Sequence, residues 1–170
     1  MATEIIETSA VVSPCENYRY TLHRRWAEGG ETLLWILLNP SKADATVRDM
    51  TDKKGVEFSK QWGFNAYRFG NLFAYRSTKT WGVTNVGFDV AIGPENDHWL
   101  DLMIAEHEHV ILAWGGSIPK LVNARVPAVA KILARHNRKT WCLGLTETGQ
   151  PMHPVMLGYD TPRELIAWDA

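Results

Sequence analysis

Apolar runs separated by polar or glycine-rich breaks are the main pattern of this 170-residue sequence. The clearest run, Leu33 to Leu38, lies between Gly29-Gly30 and Asn39-Pro40. A short apolar run without polar alternation is typical of a strand buried on both faces, at the centre of a parallel sheet. Pro40 has no N–H for the ladder and disfavours helical geometry in the residue before it, so the strand is predicted to end at Asn39.

The other elements follow from the same alternation of runs and breaks. Strands are predicted over residues 18–23, 66–73, 109–114 and 139–145, with an edge strand at 10–12. Helices are predicted from Asp49 or Thr51 to about 62, from 95 to 107, from 118 to about 135 with an interruption before Pro127, and over 162–168, whereas 84–94 is expected to be irregular. The turn at 27–31 is expected to place the 18–23 strand antiparallel to the central strand. This order predicts a three-layer α/β/α sandwich around a four-stranded parallel central sheet, with an N-terminal antiparallel strand or hairpin.

Composition indicates an ordinary globular protein, with 45% hydrophobic and 22% charged residues. The length suits a single domain spanning residues 1–170, with 1–14 as a lead-in segment. A net charge of −1 gives no overall attraction to nucleic acid, so contact with DNA or RNA requires a local basic patch. Cys15 and Cys142 are interpreted as reduced thiols. Because no apolar stretch suits a membrane helix or a signal peptide, a cytoplasmic protein without membrane contacts is expected.

Distinctive polar or glycine-rich groups follow each predicted core strand. They are Asn39-Pro40-Ser41, Asn71-Leu72-Phe73, Trp114-Gly115-Gly116 and, a little beyond the fourth strand, His153-Pro154. The carboxyl ends of parallel strands meet at one edge, where open α/β sheets bind their ligands. Asn amides present a donor and an acceptor side by side, as needed to recognise the edge of a nucleobase. The sequence therefore predicts a site for a planar polar ligand at this edge.

Plainer interpretations of these groups stay open. Asn-Pro is a common turn pair, His-Pro is common in loops, and two glycines suit a tight turn. His107 and His109 lack nearby Cys or well-placed carboxylates, so no metal or cofactor is expected. The basic pair Arg24-Arg25 is interpreted as solvated surface. The sequence contains no P-loop, dinucleotide-binding or serine-hydrolase motif, and those enzyme classes lose support.

Six motifs cover nearly the whole chain: Tyr-Arg-Tyr-x-Leu-x-Arg-x-Trp at 18–26, Leu-Asn-Pro-Ser-x-Ala-Asp-Ala at 38–45, Asn-Leu-Phe-Ala-Tyr-Arg-x-Thr at 71–78, Gly-Pro-x-Asn-Asp at 93–97, Ala-Trp-Gly at 113–115 and Leu-Gly-x-Thr-x-x-Gly-x-Pro-x-His-Pro at 143–154. In this order they resemble a bacterial and phage family called domain of unknown function sixteen forty-three. The family usually has Asp-Asp-Pro-Thr where this chain has Arg48-Asp49-Met50-Thr51, so Asp49 and Thr51 match. The family name itself implies no activity.

The chain also has, in order, a strand that ends in Asn-Pro, a strand that ends in Asn with Arg-x-Thr after it, an apolar strand that ends in Trp-Gly, and a final His-Pro. This order resembles, more distantly, the uracil-DNA glycosylase superfamily, nearest to its mismatch-specific branch. The resemblance implies a uracil-DNA-glycosylase-like fold in which Asn39 orients water, His153 bonds a carbonyl of the departing base and Asn71 contacts the base edge. Asp44 or Asp49 is the expected general base or stabiliser of positive charge on the sugar.

The expected function is recognition of a nucleobase or nucleotide, with hydrolysis of an N-glycosidic bond as the candidate reaction. The candidate catalytic residues are Asn39, Asp44, Asp49 and His153, and the candidate ligand contacts are Pro40, Ser41, Asn71, Phe73, Arg76, Thr78, Trp114 and Gly115. Two alternatives stay open: a non-catalytic module that binds a nucleotide or nucleic acid, and an enzyme that acts on free nucleosides. The sequence determines neither the base, nor the choice between DNA and RNA, nor the oligomeric state.

Overall fold

The computed structural model describes residues 2–41 and 48–166. Within these residues the strands are β1 Glu7–Val12, β2 Arg19–Arg25, β3 Thr32–Leu37, β4 Ala66–Asn71, β5 His109–Leu112, β6 Lys139–Cys142 and β7 Glu164–Leu165. The α-helices are α1 Met50–Gln61, α2 Thr80–Asn85, α3 Phe88–Ile92, α4 Asn96–Glu106 and α5 Pro119–His136, and a 3₁₀ turn covers Pro154–Met156. The predicted α/β fold is confirmed. None of the helices in this part of the chain is both long and apolar enough to cross a membrane.

All seven strands belong to one mixed sheet, in the order β1-β2-β4-β3-β5-β6-β7. Neighbours among β4, β3, β5 and β6 pair in parallel, whereas β1, β2 and β7 pair antiparallel at the two edges. β2 runs antiparallel to the central strand β3, as predicted, but the turn at 27–31 does not make the two strands neighbours. β2 pairs with β4, with Leu22 opposite Phe69, so β4 lies between β2 and β3.

The central strand is buried on both faces, in agreement with its apolar run. Leu33, Trp35 and Leu37 belong to a core cluster with Val56 and Phe58 of α1. Leu34, Ile36 and Leu38 face the opposite side and pack with residues of α4 and α5. Each such side chain contributes roughly 1.5–3 kcal/mol through burial. The period-two alternation of β3 thus anchors helices on both sides of the sheet.

Two sequence predictions fail near the ends of elements. The predicted helix at 162–168 is wrong for its described part, because Glu164–Leu165 forms β7 and Ile166 N donates to Thr140 O, which covers the open edge of β6. Residues 167–170 lie outside the described residues. The segment 84–94, which was expected to be irregular, instead contains the end of α2 and the whole of α3, which buries Ala91.

Helix α5 runs through Pro127 without the predicted interruption. Pro127 is exposed, while Val126 and Val129 beside it are buried in the core. The packing of this apolar face offsets the backbone hydrogen bond that proline cannot make.

Candidate functional site

A cavity of about 590 Å³ lies at the carboxyl ends of β3, β4 and β5. The segments that follow these strands form its walls, together with parts of β2, the start of α1 and the loop around residue 153. The predicted site residues that line it are Asn39, Pro40, Ser41, Asp49, Asn71, Thr78, Trp114, Gly115 and His153. Polar groups from distant parts of the sequence thus meet in one space.

Three predicted site residues are not placed in this cavity. Phe73 packs in the core on the α4 and α5 side, edge-on to Phe88 at 6.2 Å between ring centroids. The strand ends at Asn71, so its alternation of faces does not extend to Phe73. Arg76 donates to Glu16 O at 3.1 Å and lines a separate surface depression. Asp44 lies outside the described residues.

His153 presents a neutral imidazole to the cavity. Burial lowers the pKa of His153 to about 4, and the Asp49 carboxylate, which raises it, offsets only part of this effect. Nδ1 accepts a hydrogen bond from Val155 N at 3.3 Å. A neutral ring whose Nδ1 is an acceptor carries its proton on Nε2. The ring therefore has one N–H to donate to a ligand.

Gly115 allows the His153 segment to approach the end of β5. Its φ of +76° is accessible mainly to glycine, and a Cβ at this position would lie 3.2 Å from His153 Cβ. Gly115 N donates to Pro151 O at 2.8 Å, and the Trp114 indole donates to Gln150 Oε1 at 2.7 Å. The loop that carries His153 is thereby tied to the strand behind it.

The two asparagines enter the cavity from neighbouring strands. Nδ2 of Asn39 donates to Pro40 O at 3.1 Å and to Ser77 O at 2.9 Å, which links the segments after β3 and β4. With both N–H groups used, the acceptor oxygen is what this amide has to offer a ligand or water. Asn71 is buried at the end of β4, and strand alternation places it on the same face as Phe69, which also lines the cavity.

Asp49 is held by the start of α1, as its position before the helix predicted. One carboxylate oxygen accepts from Asp52 N and the other from Ser41 Oγ, each at 2.8 Å. The first contact is an N-cap, which satisfies one of the unpaired N–H groups of the first helical turn. Carboxylate oxygens have further lone pairs, so Asp49 retains acceptor capacity beside His153.

A buried ionic network in the cavity wall was missed by the sequence analysis. Asp52 accepts from Arg24 Nε and Arg48 Nε, each at 2.5 Å, and from the Tyr67 hydroxyl. Burial and the Asp52 carboxylate raise the pKa of Tyr67 well above its usual value, so its phenol is neutral and donates. The interpretation of Arg24 as solvated surface is wrong, because its side chain is buried. The Asp52 carboxylate, far along the chain, compensates the loss of water around the Arg24 charge.

One pair of this network could have been identified from the sequence, whereas another charged residue of the cavity could not. The i,i+4 spacing of Arg48 and Asp52 was a readable signal for an ion pair at the start of a helix. Arg19 also lines the cavity, and burial lowers the pKa of its guanidinium. No local pattern distinguishes this residue from other charged positions of a strand.

The mouth of the cavity is uncharged in the part of the chain that the structure describes. Its exposed lining residues are Thr78, Thr80, Gly116, Ser117 and Met156, and Met156 is 90% exposed. Among residues 2–41 and 48–166 there is also no group of three or more His, Cys, Asp or Glu side chains able to hold a metal ion. Among the described residues that line the cavity, the charged groups are therefore in its wall, at Arg19, Arg24, Asp49 and Asp52.

Comparison with known proteins identifies a family without an assigned activity. The family model described as "Protein of unknown function (DUF1643)" matches residues 19–155. No curated protein and no solved structure matches the chain. The matched range begins and ends at cavity residues, Arg19 and Val155, and includes the described segments that form most of the wall. The chain therefore belongs to the DUF1643 family of proteins of unknown function.

Proposed function

We propose that this protein binds a nucleobase in the cavity at the carboxyl edge of its sheet and hydrolyses the N-glycosidic bond of that base. The observation that carries the proposal is the convergence of Asn39, Asn71 and a neutral His153 on one cavity. The Asn71 amide, which carries a donor and an acceptor side by side, suits the edge of a nucleobase. Phe69 and Trp114 add aromatic surface to the same wall.

The proposed chemistry assigns one role to each polar group. Water, held by the Asn39 oxygen, attacks the anomeric carbon while the bond to the base nitrogen breaks and its electron pair goes to the base. The Nε2–H of His153 then stabilises the negative charge on the departing base, which is worth most in a largely buried site. Asp49 accepts the proton of the attacking water or stabilises positive charge on the sugar. Asp44 keeps its predicted place as the other candidate for this role.

The proposal includes a fold of the uracil-DNA glycosylase type. Parallel pairing of β4, β3, β5 and β6, with helices on both faces, supports a sandwich of the uracil-DNA glycosylase type. The order Asn-Pro, Asn, Trp-Gly, His-Pro along the chain supports it further. Cys15 and Cys142 are free thiols, which is compatible with the cytoplasmic location that we also propose.

Two features of the rim favour different substrates. Among the described residues, the lack of charge at the mouth favours a free nucleoside, because a protein that binds a polynucleotide usually neutralises phosphates with Lys or Arg. Met156 favours the polymer, because an exposed apolar side chain near His153 can fill the stack that an extruded base vacates. Hydrolysis of a free nucleoside is therefore the second candidate function.

The test is an assay of base release from nucleosides and from single- and double-stranded oligonucleotides that carry normal or deaminated bases. The wild-type protein is expected to release one class of base, and His153→Ala to lose on the order of 10²-fold in rate. His107→Ala, at the opposite end of the sheet, is the control and should retain the wild-type rate.

Direct binding of free bases, measured by calorimetry, separates the alternatives. Binding without release identifies a non-catalytic module. Release from nucleosides but not from oligonucleotides identifies the free-nucleoside enzyme. A wild-type protein that neither binds nor releases any base overturns the proposal, and an unchanged rate in His153→Ala removes the role assigned to that side chain.

A further inference from the structure

Two buried side chains hold the end of β4 directly behind Asn71. Nδ2 of Asn96 donates to Asn71 O at 3.0 Å and to Leu72 O at 3.1 Å. Nε of Arg125 donates to the same Leu72 O at 2.8 Å. Each of these donors is 1% exposed. The carbonyls of Asn71, the last residue of β4, and of Leu72, which follows it, are thus bound by side chains of α4 and α5.

A third residue fixes the arginine. The Arg125 guanidinium donates from its terminal nitrogen to Asp97 Oδ1 at 2.5 Å, beside its contact with Leu72 O. Asn96 and Asp97 are the last two positions of the Gly-Pro-x-Asn-Asp motif at 93–97, for which the sequence suggested no role. The motif thus supplies one donor to β4 and the counter-ion of the second.

Burial of these two polar side chains costs stability, whereas burial of apolar side chains would not. Oδ1 of Asn96 is buried and has no hydrogen-bond partner among the residues that the structure describes. An unsatisfied buried polar atom lowers stability, and a buried guanidinium adds a desolvation penalty. Both side chains bind the Leu72 carbonyl, directly after Asn71, which lines the cavity. Such a cost is reasonable where the position of a functional group must be fixed.

We propose that Asn96 and Arg125 are positioning residues for Asn71 and thereby set the base specificity of the site. Leu72 N donates to Leu37 O at 2.8 Å, so β3 holds one side of this backbone and the two side chains hold its carbonyls. Rotation of the peptide unit between Asn71 and Leu72 would turn the Asn71 amide away from the base edge. This inference rests on the proposed function for the contact between Asn71 and the base.

The test uses two substitutions that keep size or charge. Asn96→Asp preserves the shape of the side chain but removes the donors, and Arg125→Lys keeps a cation beside Asp97 but removes the Nε donor. Arg138→Lys is the matched control, because Arg138 donates from Nε to Ile104 O at 2.9 Å and from a terminal nitrogen to Ala105 O at the other end of α4. Circular dichroism selects a temperature at which all variants are folded.

The first measurement needs no ligand. NMR follows the side-chain amide signals of Asn71, assigned by their loss in Asn71→Asp. Asn96→Asp and Arg125→Lys are expected to move these signals, whereas Arg138→Lys leaves them in place. Unmoved signals in both positioning variants would overturn the inference, and Arg125→Lys decides alone if Asn96→Asp does not fold.

The second measurement is the ratio of kcat/KM for the preferred base and for its nearest competitor. Each positioning variant is expected to reduce this ratio about tenfold, because a small misplacement of a recognition group weakens discrimination. An active protein whose variants keep the wild-type ratio also overturns the inference. If the Asn71 signals move but the wild type acts on no base, the proposed function fails while the positioning of Asn71 stands.

Discussion

The two ends of the parallel strands carry similar residue types in very different surroundings. The carboxyl end holds the cavity, whereas the amino end holds a shallower groove lined by Glu31, Thr32, Phe64, Arg68, Glu106, His107, Glu108 and His109, which we term the amino-edge groove. In the groove, Arg68 pairs with Glu106 at 3.1 Å, and the Glu106 side chain is 60% exposed. In the cavity wall, Asp52 is 4% exposed and has two arginine partners. The comparison teaches that the strength of the ion pairs at each end of the sheet depends more on their burial than on the number of charges.

The histidines show the same contrast. In the groove, His107 bonds to Met103 O at 2.6 Å, and His109 Nδ1 accepts from the Trp141 indole at 3.2 Å, so both rings serve the packing of α4 and β6. His153 is bound to the backbone of its own loop and lines the cavity beside two asparagines. Among the described residues, the amino-edge groove is lined by more titratable side chains than the cavity. In the cavity, however, the polar side chains converge on one space.

The largest effect is expected when the buried network is broken. Asp52→Ala leaves Arg24 and Arg48 without their shared carboxylate and should lower the free energy of unfolding by about 3–5 kcal/mol. Glu106→Gln, the control in the groove, should cost less than about 1 kcal/mol because that pair is exposed and screened. Urea denaturation measures both. Similar small losses at the two edges would show that solvent screens the cavity wall as well.

The next effect concerns pH. Burial lowers the pKa of His153 from 6.5 in the unfolded chain to about 4, so below pH 6.5 the unfolded chain binds a proton that the folded protein does not. Stability should therefore fall between about pH 6.5 and 4, by about 3 kcal/mol in total from this group. His153→Gln removes this contribution, so urea denaturation across that range should give a flatter curve.

His107 sharpens the same comparison, since burial also lowers its pKa. His107→Gln should flatten the acid limb of the stability curve too, but it should leave base release unchanged, whereas His153→Gln affects both. A His153→Gln curve that keeps the full wild-type slope would contradict the burial of that imidazole.

The smallest effect distinguishes two glycines with positive φ. Gly115 and Gly63 have φ of +76° and +90°, so Ala at either position should cost about 1 kcal/mol through backbone strain. A Cβ on Gly63 meets nothing within 4 Å, whereas one on Gly115 presses on His153. Gly115→Ala should therefore lower base release about tenfold as well, while Gly63→Ala does not. Equal activity in the two variants would show that the His153 segment can move aside without a loss of base release.

Local sequence signals foretold the positions of the strand ends but not their neighbours. An apolar run stopped by Asn39-Pro40 marks where a strand ends, and Asp49 marks where a helix begins, because both depend on a few adjacent residues. Pairing depends on distant residues, so the position of β2 beside β4 could not be derived in this way. β7 formed because an open edge of β6 was available to residues 164–165, which the periodicity of that segment could not indicate.

The candidate site was foreseen to a similar extent. Asn39, Asn71 and His153 were found because they follow strands or stand in a distinctive pair, and the fold brings them to one cavity. Arg24 was misjudged because its burial depends on Asp52 and Tyr67, which lie far along the chain. The positioning contacts of Asn96 and Arg125 were invisible for the same reason, since their partners are backbone carbonyls that no motif names.

The place of β2 in the sheet has a consequence for biosynthesis. The β1–β2 hairpin is made first, but its neighbour in the sheet, β4, is made only after β3 and α1. At usual rates of translation, the hairpin waits on the order of seconds before residues 66–71 are available to pair with it. During that time β2 lacks its neighbour and Leu22 lacks its cross-strand partner Phe69, so the nascent chain carries an unpaired strand edge that is open to misassembly.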